Sequence, residues 1–381
     1  MQPKDEEYLR RAIRLAMNGR GNVEPNPMVG CVIVRNDRVI GEGFHQRFGE
    51  AHAEPNALAN CIESPQGATA YVTLEPCCHT NKKTPPCAPR LIEAKIARVM
   101  IGCLDPNPAV NGNGVAMLRS AGIHVETGHL EAECKQLIAP FLAVVEFHRP
   151  YITLKWAQSV NGLVAGRMGQ PVQITNERST QEVHRLRSRC DAIAVGTNTV
   201  LNDDPLLTAR GVEHSRSLTR VILSNSLRFP RQSKLIQSAK DSTVLLYCSQ
   251  QASESSQSIV SSLRTAGVEV IALPDHDGHF SFNDVLKDLH ARKVMHLLVE
   301  PGPTLARSML ARGQVDRVWI FRSTRVIEAT HGEAVLAAPR VDYPAAGSKR
   351  FADDELTEYL NPQSEAFFSP APSADFVLAS E

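Results

Sequence analysis

His52 and Glu54 lie in Ala51-His-Ala-Glu-Pro55, Cys77 closes Leu74-Glu-Pro-Cys77, and Cys87 follows in Pro85-Pro-Cys87. One imidazole and two thiolates are donors that a tetrahedral zinc ion takes, and three protein ligands leave the fourth position for water. A carboxylate two residues from the histidine can take a proton from that water and pass it to a leaving group. These residue types point to metal-assisted hydrolysis, with Glu54 as base first and acid second. Taken singly, each has a plainer reading: His52 and Glu54 can start a helix, and a buried cysteine usually behaves as a small hydrophobe. A closed structural zinc site would need a fourth Cys or His, whereas here a carboxylate stands where an acid/base belongs. Cys77 and Cys78 are adjacent, so on spacing alone either could pair with Cys87.

The elements that must position these residues are legible in the pattern. Val32-Ile33-Val34 and Val39-Ile40 read as strands, His52 to Ile62 as a helix, and Ala70 to Leu74 as a strand delivering Cys77 at its end. Ala88 to Ala94 resumes a helical pattern. Residues 5 to 20 form an amphipathic helix ended by Asn18-Gly19, and Val99–Gly102, Val115–Ala121 and Ile123–Val125 continue as strand, helix and strand. This alternation predicts an α/β layered domain ending near Phe147. His148-Arg149-Pro150 is a proline-closed junction, after which Tyr151–Lys155 opens a second α/β pattern.

In that second half, Thr180–Arg189 reads as a helix. Ala192–Val195, Thr219–Leu223, Thr243–Tyr247, Val268–Ala272 and His296–Val299 read as strands. The last feeds Gly302-Pro303-Thr304. Glycine-rich exits from strands into helix starts expose backbone N–H donors suited to phosphate, although a glycine there more often only serves a tight turn. The tail from about Ala338 is rich in Pro, Ala and Ser and reads as irregular.

At 381 residues two domains are expected. Lysine plus arginine equals aspartate plus glutamate at 41 each, and no aromatic-interleaved basic stripe is present, so a nucleic-acid or membrane partner is disfavoured and a small molecule preferred. Nothing near the N-terminus has a signal-peptide core, and no apolar run would span a bilayer, so a cytoplasmic protein is expected. Nine cysteines scattered without a secretory signal suit reduced thiols and metal ligands.

His-x-Glu followed by Pro-Cys resembles the signature of zinc nucleobase deaminases, which points the hydrolysis toward deamination; the Glu-Pro-Cys frame favours Cys77 over Cys78. More of the chain, roughly residues 5 to 320, resembles the bifunctional riboflavin-biosynthesis deaminase/reductases. The matching pieces are Pro25-Asn-Pro-Met-Val-Gly30, Gly41-Glu-Gly-Phe-His45, His52-Ala-Glu54, Thr73-Leu-Glu-Pro-Cys77, Thr84-Pro-Pro-Cys87 and Asp105-Pro-Asn-Pro108. In the second half they are Arg149-Pro150, Leu154-Lys155, His184-Arg-Leu-Arg187, Ala192–Gly196, Thr199–Pro205, Leu207-Thr-Ala-Arg210 and Glu300–Ala306.

The resemblance implies a cytidine-deaminase-like α/β/α domain over residues 1–147, then a dihydrofolate-reductase-like α/β domain over 148–381, divergent from about 325. It implies Zn2+ and NADPH as cofactors, a phosphorylated pyrimidine as substrate, and a homo-oligomer. The two steps would be hydrolytic loss of the 2-amino group from a diaminopyrimidine ribosylamine 5′-phosphate, then NADPH-dependent reduction of its ribosyl group to ribityl. Carried over by motif, His52, Cys77 and Cys87 would hold zinc, and Glu54, Lys155 and Asp203 would be catalytic. Asn26, His45, His79, Lys83, Arg187, Leu207, Arg210 and Glu300 would meet substrate. Gln158, Gln173, Thr199, Asp203, Gly302, Pro303 and Thr304 would meet NADPH.

The chain departs from the family pattern at several positions. The segment between Cys77 and Cys87 is one residue longer, and Pro55, Asn161, Pro171, Gln173, Ser224 and Pro301 replace the usual residues. Asn161, Pro171 and Gln173 make a second reading worth testing, an active deaminase whose reductase-like domain serves as a binding or oligomerisation module. A nucleic-acid-editing deaminase, the third reading, is disfavoured by the charge balance.

Overall fold

A computed structural model describes residues 3–79, 84–165, 172–212, 217–228, 230, 232–276, 279–328 and 336–378. The chain divides into two compact units, Met1–Phe147 and His148–Glu381.

The first unit runs α1 (Pro3–Met17), β1 (Gly30–Arg35), β2 (Arg38–Phe44), α2 (Ala53–Ala59), β3 (Thr69–Leu74), α3 (Cys87–Glu93), β4 (Arg98–Cys103), α4 (Asn113–Ser120), β5 (His124–Thr127), α5 (Glu131–Leu137) and α6 (Ala139–Val145). Its sheet has the order β2-β1-β3-β4-β5, with β1 antiparallel to β2 and β3 and the last three strands parallel. Period-two alternation assigns the faces. Cys31 and Ile33 pack with Ala53 and Ala57 of α2, Leu91 of α3 and Leu118 of α4, while Val32 and Val34 turn to Leu9 and Ala12 of α1. Helices on both faces make an α/β/α unit.

Where α2 begins is set by close packing. A Cβ on Gly43 would lie 2.3 Å from the Ala57 nitrogen and 2.6 Å from the Ala53 oxygen, so only glycine lets α2 rest directly on β2. The helix is shorter than the sequence pattern suggests: it ends at Ala59 with Asn60 as C-cap, and the Ile62 N–H instead donates to the Ile40 carbonyl at 2.8 Å.

The second unit runs β6 (Tyr151–Gln158), α7 (Glu177–Arg189), β7 (Ala192–Gly196), α8 (Thr197–Asp203), β8 (Thr219–Leu223), α9 (Lys234–Gln237), β9 (Val244–Ser249), α10 (Gln250–Ser255), α11 (Gln257–Thr265) and β10 (Glu269–Leu273). A small hairpin, β11 (Asp275–His276) and β12 (His279–Phe280), precedes α12 (Phe282–Ala291), β13 (His296–Val299), α13 (Pro303–Ala311), β14 (Arg317–Arg322), β15 (Ala345–Phe351), β16 (Asp354–Leu360) and α14 (Ala374–Leu378). The main sheet has nine strands in the order β10-β9-β8-β7-β13-β6-β14-β16-β15. The seven from β10 to β14 are parallel, and β16 and β15 close the edge antiparallel. Core residues cover both faces: Leu186, Leu235 and Leu263 meet Ile193, Ile222 and Leu246 on one, and Val285, Leu289 and Met309 meet Ala194, Val221 and Leu297 on the other.

Two strands therefore lie in the tail that the composition presented as irregular. In β16 the inward residues are Asp354, Leu356, Glu358 and Leu360, so two carboxylates occupy positions where an amphipathic strand shows apolar side chains. Both are satisfied. Asp354 accepts from the Asn176 N–H at 2.8 Å and the Ser179 hydroxyl at 2.6 Å. Glu358 accepts from Trp319 Nε1 at 3.0 Å and from the Ser373 N–H at 2.7 Å, beside the buried Arg317, which pairs with Asp375 of α14 at 2.7 Å.

Replacing one member of such a buried cluster leaves the others unpaired, which typically costs roughly 3–5 kcal/mol. Glu358→Ala should lower the urea midpoint of the second unit by an amount equivalent to about 3 kcal/mol. An unchanged midpoint would show that β16 is not anchored through this carboxylate.

Candidate active sites

In the first unit three element ends converge. His52 is the N-cap of α2, Cys77 follows β3, and Cys87 opens α3. Two backbone bonds bring the cysteines together, from the Cys87 and Ala88 N–H groups to the Cys77 carbonyl at 3.0 and 3.1 Å. The His52 Nδ1 lies 3.6 Å from Cys77 Sγ and 3.4 Å from Cys87 Sγ, and the three donor atoms all fall within 4.8 Å of one another. Thr84 Oγ1 stands 3.2 Å from His52 Nε2, so the hydroxyl can accept the Nε2 proton and leave the Nδ1 lone pair facing the sulfurs. Cys78 is outside the cluster and directs its thiol to the Ala109 carbonyl at 4.0 Å. One imidazole and two thiolates at this spacing fit zinc, with room for a non-protein ligand.

Glu54 sits beside them on the first turn of α2, 3 % exposed. Burial, reinforced by Cys77, raises its proton affinity above that of an ordinary glutamate. A cavity of about 340 Å³ opens in front, lined by Asn26, His45, His52, Glu54, Cys77 and His79 among others. Asn26 Nδ2 lies 3.1 Å from His45 Nε2, and His45 Nδ1 lies 3.0 Å from the Ala51 carbonyl. Lys83 falls outside the described residues.

Other walls of this cavity are Glu75, Asp105 and Asn107, which lie in the matching motifs but were given no role there, and Phe141, which no motif singles out. The Glu75 carboxylate accepts backbone N–H bonds from Asp105 at 3.3 Å, Gly112 at 2.9 Å and Val115 at 3.0 Å, tying the 105–115 segment to the end of β3. The Leu-Glu-Pro-Cys frame carried that signal. Phe141, on α6 and far away in sequence, carried none.

In the second unit Lys155, Arg187 and Glu300 come together. Arg187 Nε and Nη2 donate to the two Glu300 oxygens at 2.8 and 2.7 Å, and its Nη1 donates to the Thr208 carbonyl at 3.2 Å. Burial alone would push the Glu300 carboxyl up, but Arg187 and then Lys155 outweigh it and hold the group at about 2. Lys155 lies within β6 rather than at its end, its Nζ 5.8 Å from the centre of the Phe321 ring. Burial, opposed by Glu300, leaves its ammonium more acidic than a free lysine.

Around this group, His184 Nδ1 lies 3.2 Å from the Thr208 carbonyl and 3.3 Å from the Arg210 nitrogen, so α7 holds the segment that carries Arg210. The Arg210 side chain is exposed. Leu207 is buried in the core of its unit with φ 52°, so its side chain is committed to packing. Asp203 is the last residue of α8 and exposed, while Gln158 is buried at the end of β6, accepting from Trp156 Nε1 at 3.1 Å.

Adjacent parallel strands β7 and β13 both run into helix starts, at Gly196 and at Gly302-Pro303-Thr304. Gly302 has φ −70° and Gly196 φ −81°, so neither is required by a left-handed turn. A Cβ on Gly302 would meet only Thr199 Oγ1, at 4.0 Å, and one on Gly196 only Leu305, at 3.8 Å. What the glycines leave is room for close approach to two helix starts, which fits the phosphates of a dinucleotide.

The departures from the family pattern have different settings. Asn161 Nδ2 donates to the Ile327 carbonyl at 2.9 Å while its Oδ1 accepts from the Ile327 N–H at 3.3 Å, a pairing that an aspartate could not complete. Gln173 is exposed and its carbonyl accepts from Arg325 at 2.8 Å. Ser224 is buried with no hydroxyl partner among the described residues. Pro171 lies outside them.

The cluster of His52, Cys77 and Cys87 can be tested by substitution. Cys77→Ala and Cys87→Ala should each abolish stoichiometric zinc in the purified protein, whereas Cys78→Ala should retain it. Metal analysis of the three variants decides, and zinc loss confined to Cys78→Ala would overturn the ligand set.

Residues 2–103 match the cytidine and deoxycytidylate deaminase zinc-binding region, and residues 150–334 match the RibD C-terminal domain. The riboflavin biosynthesis protein RibD of Aquifex aeolicus is 38% identical over 323 residues, 85% of this chain and 88% of that protein. Its Escherichia coli counterpart is 38% identical over 336 residues, 85% and 89%. Among solved structures, Acinetobacter baumannii RibD superposes with a TM-score of 0.79 at 31% identity, covering 94% of this chain and 99% of that one. A Thermotoga maritima diaminohydroxyphosphoribosylaminopyrimidine deaminase/5-amino-6-(5-phosphoribosylamino)uracil reductase gives 0.77 at 33% identity, covering 94% and 99%. With a cavity beside a His–Cys–Cys cluster able to hold a metal in one unit and a charged lysine–arginine–glutamate group in the other, the chain belongs to the RibD family of riboflavin biosynthesis proteins.

Proposed function

We propose that this chain carries out two consecutive steps of riboflavin biosynthesis, deamination in residues 1–147 and reduction in residues 148–381. The substrate is the phosphorylated diaminopyrimidine ribosylamine, and we extend the proposal to a cytoplasmic homo-oligomer. The observation that carries it is the buried Glu54 carboxyl beside a three-donor cluster of His52, Cys77 and Cys87.

His52, Cys77 and Cys87 would hold zinc, which as a Lewis acid makes water nucleophilic at neutral pH. Glu54 takes a proton from the attacking water and delivers it to the departing amino nitrogen, a task helped by its raised proton affinity. Asn26 and His45 form one wall for the pyrimidine, and His79 and Lys83 supply groups for the phosphate. Glu75 keeps Asp105 and Asn107 in place as another wall.

NADPH bound in the second unit would supply the hydride that C1 of the ribosyl group needs. A proton is needed as that ring opens, and Lys155, whose ammonium gives up its proton more readily than a free lysine, is the donor we assign. Glu300 keeps Lys155 and Arg187 in one electrostatic group, Arg210 and Arg187 face the substrate phosphate, and Asp203 borders the reacting carbon. Thr199, Gly302, Pro303 and Thr304, on the open helix starts, are assigned to the cofactor together with Gln158 and Gln173.

Glu54→Gln separates the two activities. It should keep one zinc per chain and lower ammonia release by on the order of 10³-fold, as for loss of a general acid/base. NADPH oxidation with the already deaminated ribosylamine phosphate should be unchanged. Ammonia release within twofold of wild type would overturn the role of Glu54. A wild-type protein that never oxidises NADPH with the deaminated compound would establish instead a deaminase with a non-catalytic second domain.

A further inference from the structure

The bond between Asn26 and His45 has a direction that its surroundings decide. His45 is 2 % exposed, at the end of β2, and packs against His52 with ring centroids 5.1 Å apart. Its Nδ1 faces the Ala51 carbonyl at 3.0 Å. A carbonyl oxygen only accepts, so Nδ1 carries the proton of the neutral ring. The same carbonyl is braced from the other side by Asn56 Nδ2 at 3.3 Å, which also donates to the Phe44 carbonyl at 2.8 Å. The chain on either side of His45 is thereby tied to α2.

With the proton on Nδ1, Nε2 presents a lone pair. Its neighbour at 3.1 Å must be a donor, and Asn26 offers its amide N–H there. Once that N–H is committed, the Asn26 carbonyl oxygen is the acceptor left for the cavity that Asn26 lines. Reversing the amide would set Oδ1 against the Nε2 lone pair, two acceptors face to face in a buried site, which is strongly unfavourable.

We propose that His45 is a positioning residue: through the chain Ala51 carbonyl, His45, Asn26 it fixes the Asn26 amide with its oxygen toward the cavity, selecting a substrate edge that presents an N–H donor. The inference rests on the deaminase reading and changes the role of His45 within it, from a direct substrate ligand to a group that acts through Asn26. An edge that presents only a carbonyl at that point is rejected, because the amide cannot turn over to donate.

Two measurements test it. In a double-mutant cycle on ammonia release, Asn26→Ala and His45→Phe should each lower kcat/KM by on the order of 30-fold, the loss expected for one buried hydrogen bond to substrate. The double variant should be no worse than either single one, with zinc content unchanged throughout. Losses that multiply to about 10³-fold would mean that His45 acts on substrate directly and would overturn the proposal. Independently of activity, histidine ¹⁵N NMR of the zinc-loaded wild-type protein should show His45 as the neutral Nδ1–H tautomer. A ring protonated at Nε2, alone or together with Nδ1, would sink the inference even if all variants misfold. Should the wild type release no ammonia, the deaminase reading fails, while the NMR result still decides whether the amide is fixed.

Discussion

Two thiols and a carboxyl group held against one imidazole in a buried wall can all ionise together only with a cation beside them. If Cys77, Cys87 and Glu54 were all ionised without one, like charges would face each other with little water between them. The first unit is nevertheless built to hold them there. Backbone bonds fix Cys87 on Cys77, Thr84 orients His52, and a bare Gly43 lets the helix that starts at His52 lie against its strand. A divalent metal held by His52, Cys77 and Cys87 would remove the repulsion between the thiolates, with Glu54, outside the donor set, as the group whose proton can move.

The second unit meets a related constraint by internal pairing. Glu300 is almost enclosed, yet it stays ionised because the planar fork of Arg187 binds both its oxygens and Lys155 stands close. Burial makes the Lys155 ammonium more acidic, and the same carboxylate opposes that shift. The parallel order of β7, β13 and β6 places this group and the two open helix starts on neighbouring strands of one sheet. That is the arrangement in which α/β sheets commonly bind ligands beyond their strand ends.

Much of this was legible in the residue pattern because the chemistry and the alternation agree locally. The strand ending before Cys77 and the helix beginning after His52 follow from apolar periodicity. The preference for Cys77 over Cys78 came from the Glu-Pro-Cys frame, and the structure places Cys77, not Cys78, beside His52. What could not be read were pairings over long sequence distances. Nothing local joins Arg187 to Glu300, or brings Phe141 to the cavity of His52. The tail misled for a physical reason: β16 turns Asp354 and Glu358 inward, where their hydrogen bonds to Ser179, Trp319 and Ser373 replace apolar contacts. A pattern search for alternating hydrophobes passes over such a strand. Asn161 shows the converse, a departure whose two-way bond to Ile327 needs an amide.

One chain carries both chemistries, and they act in turn on one substrate. The most direct measurement follows ammonia release and NADPH absorbance together, in one reaction of the zinc-loaded protein with the diaminopyrimidine ribosylamine phosphate. Ammonia appearing first, followed by one NADPH oxidised per ammonia released, is the predicted result. NADPH oxidation without ammonia, or no ammonia at all, would contradict the account.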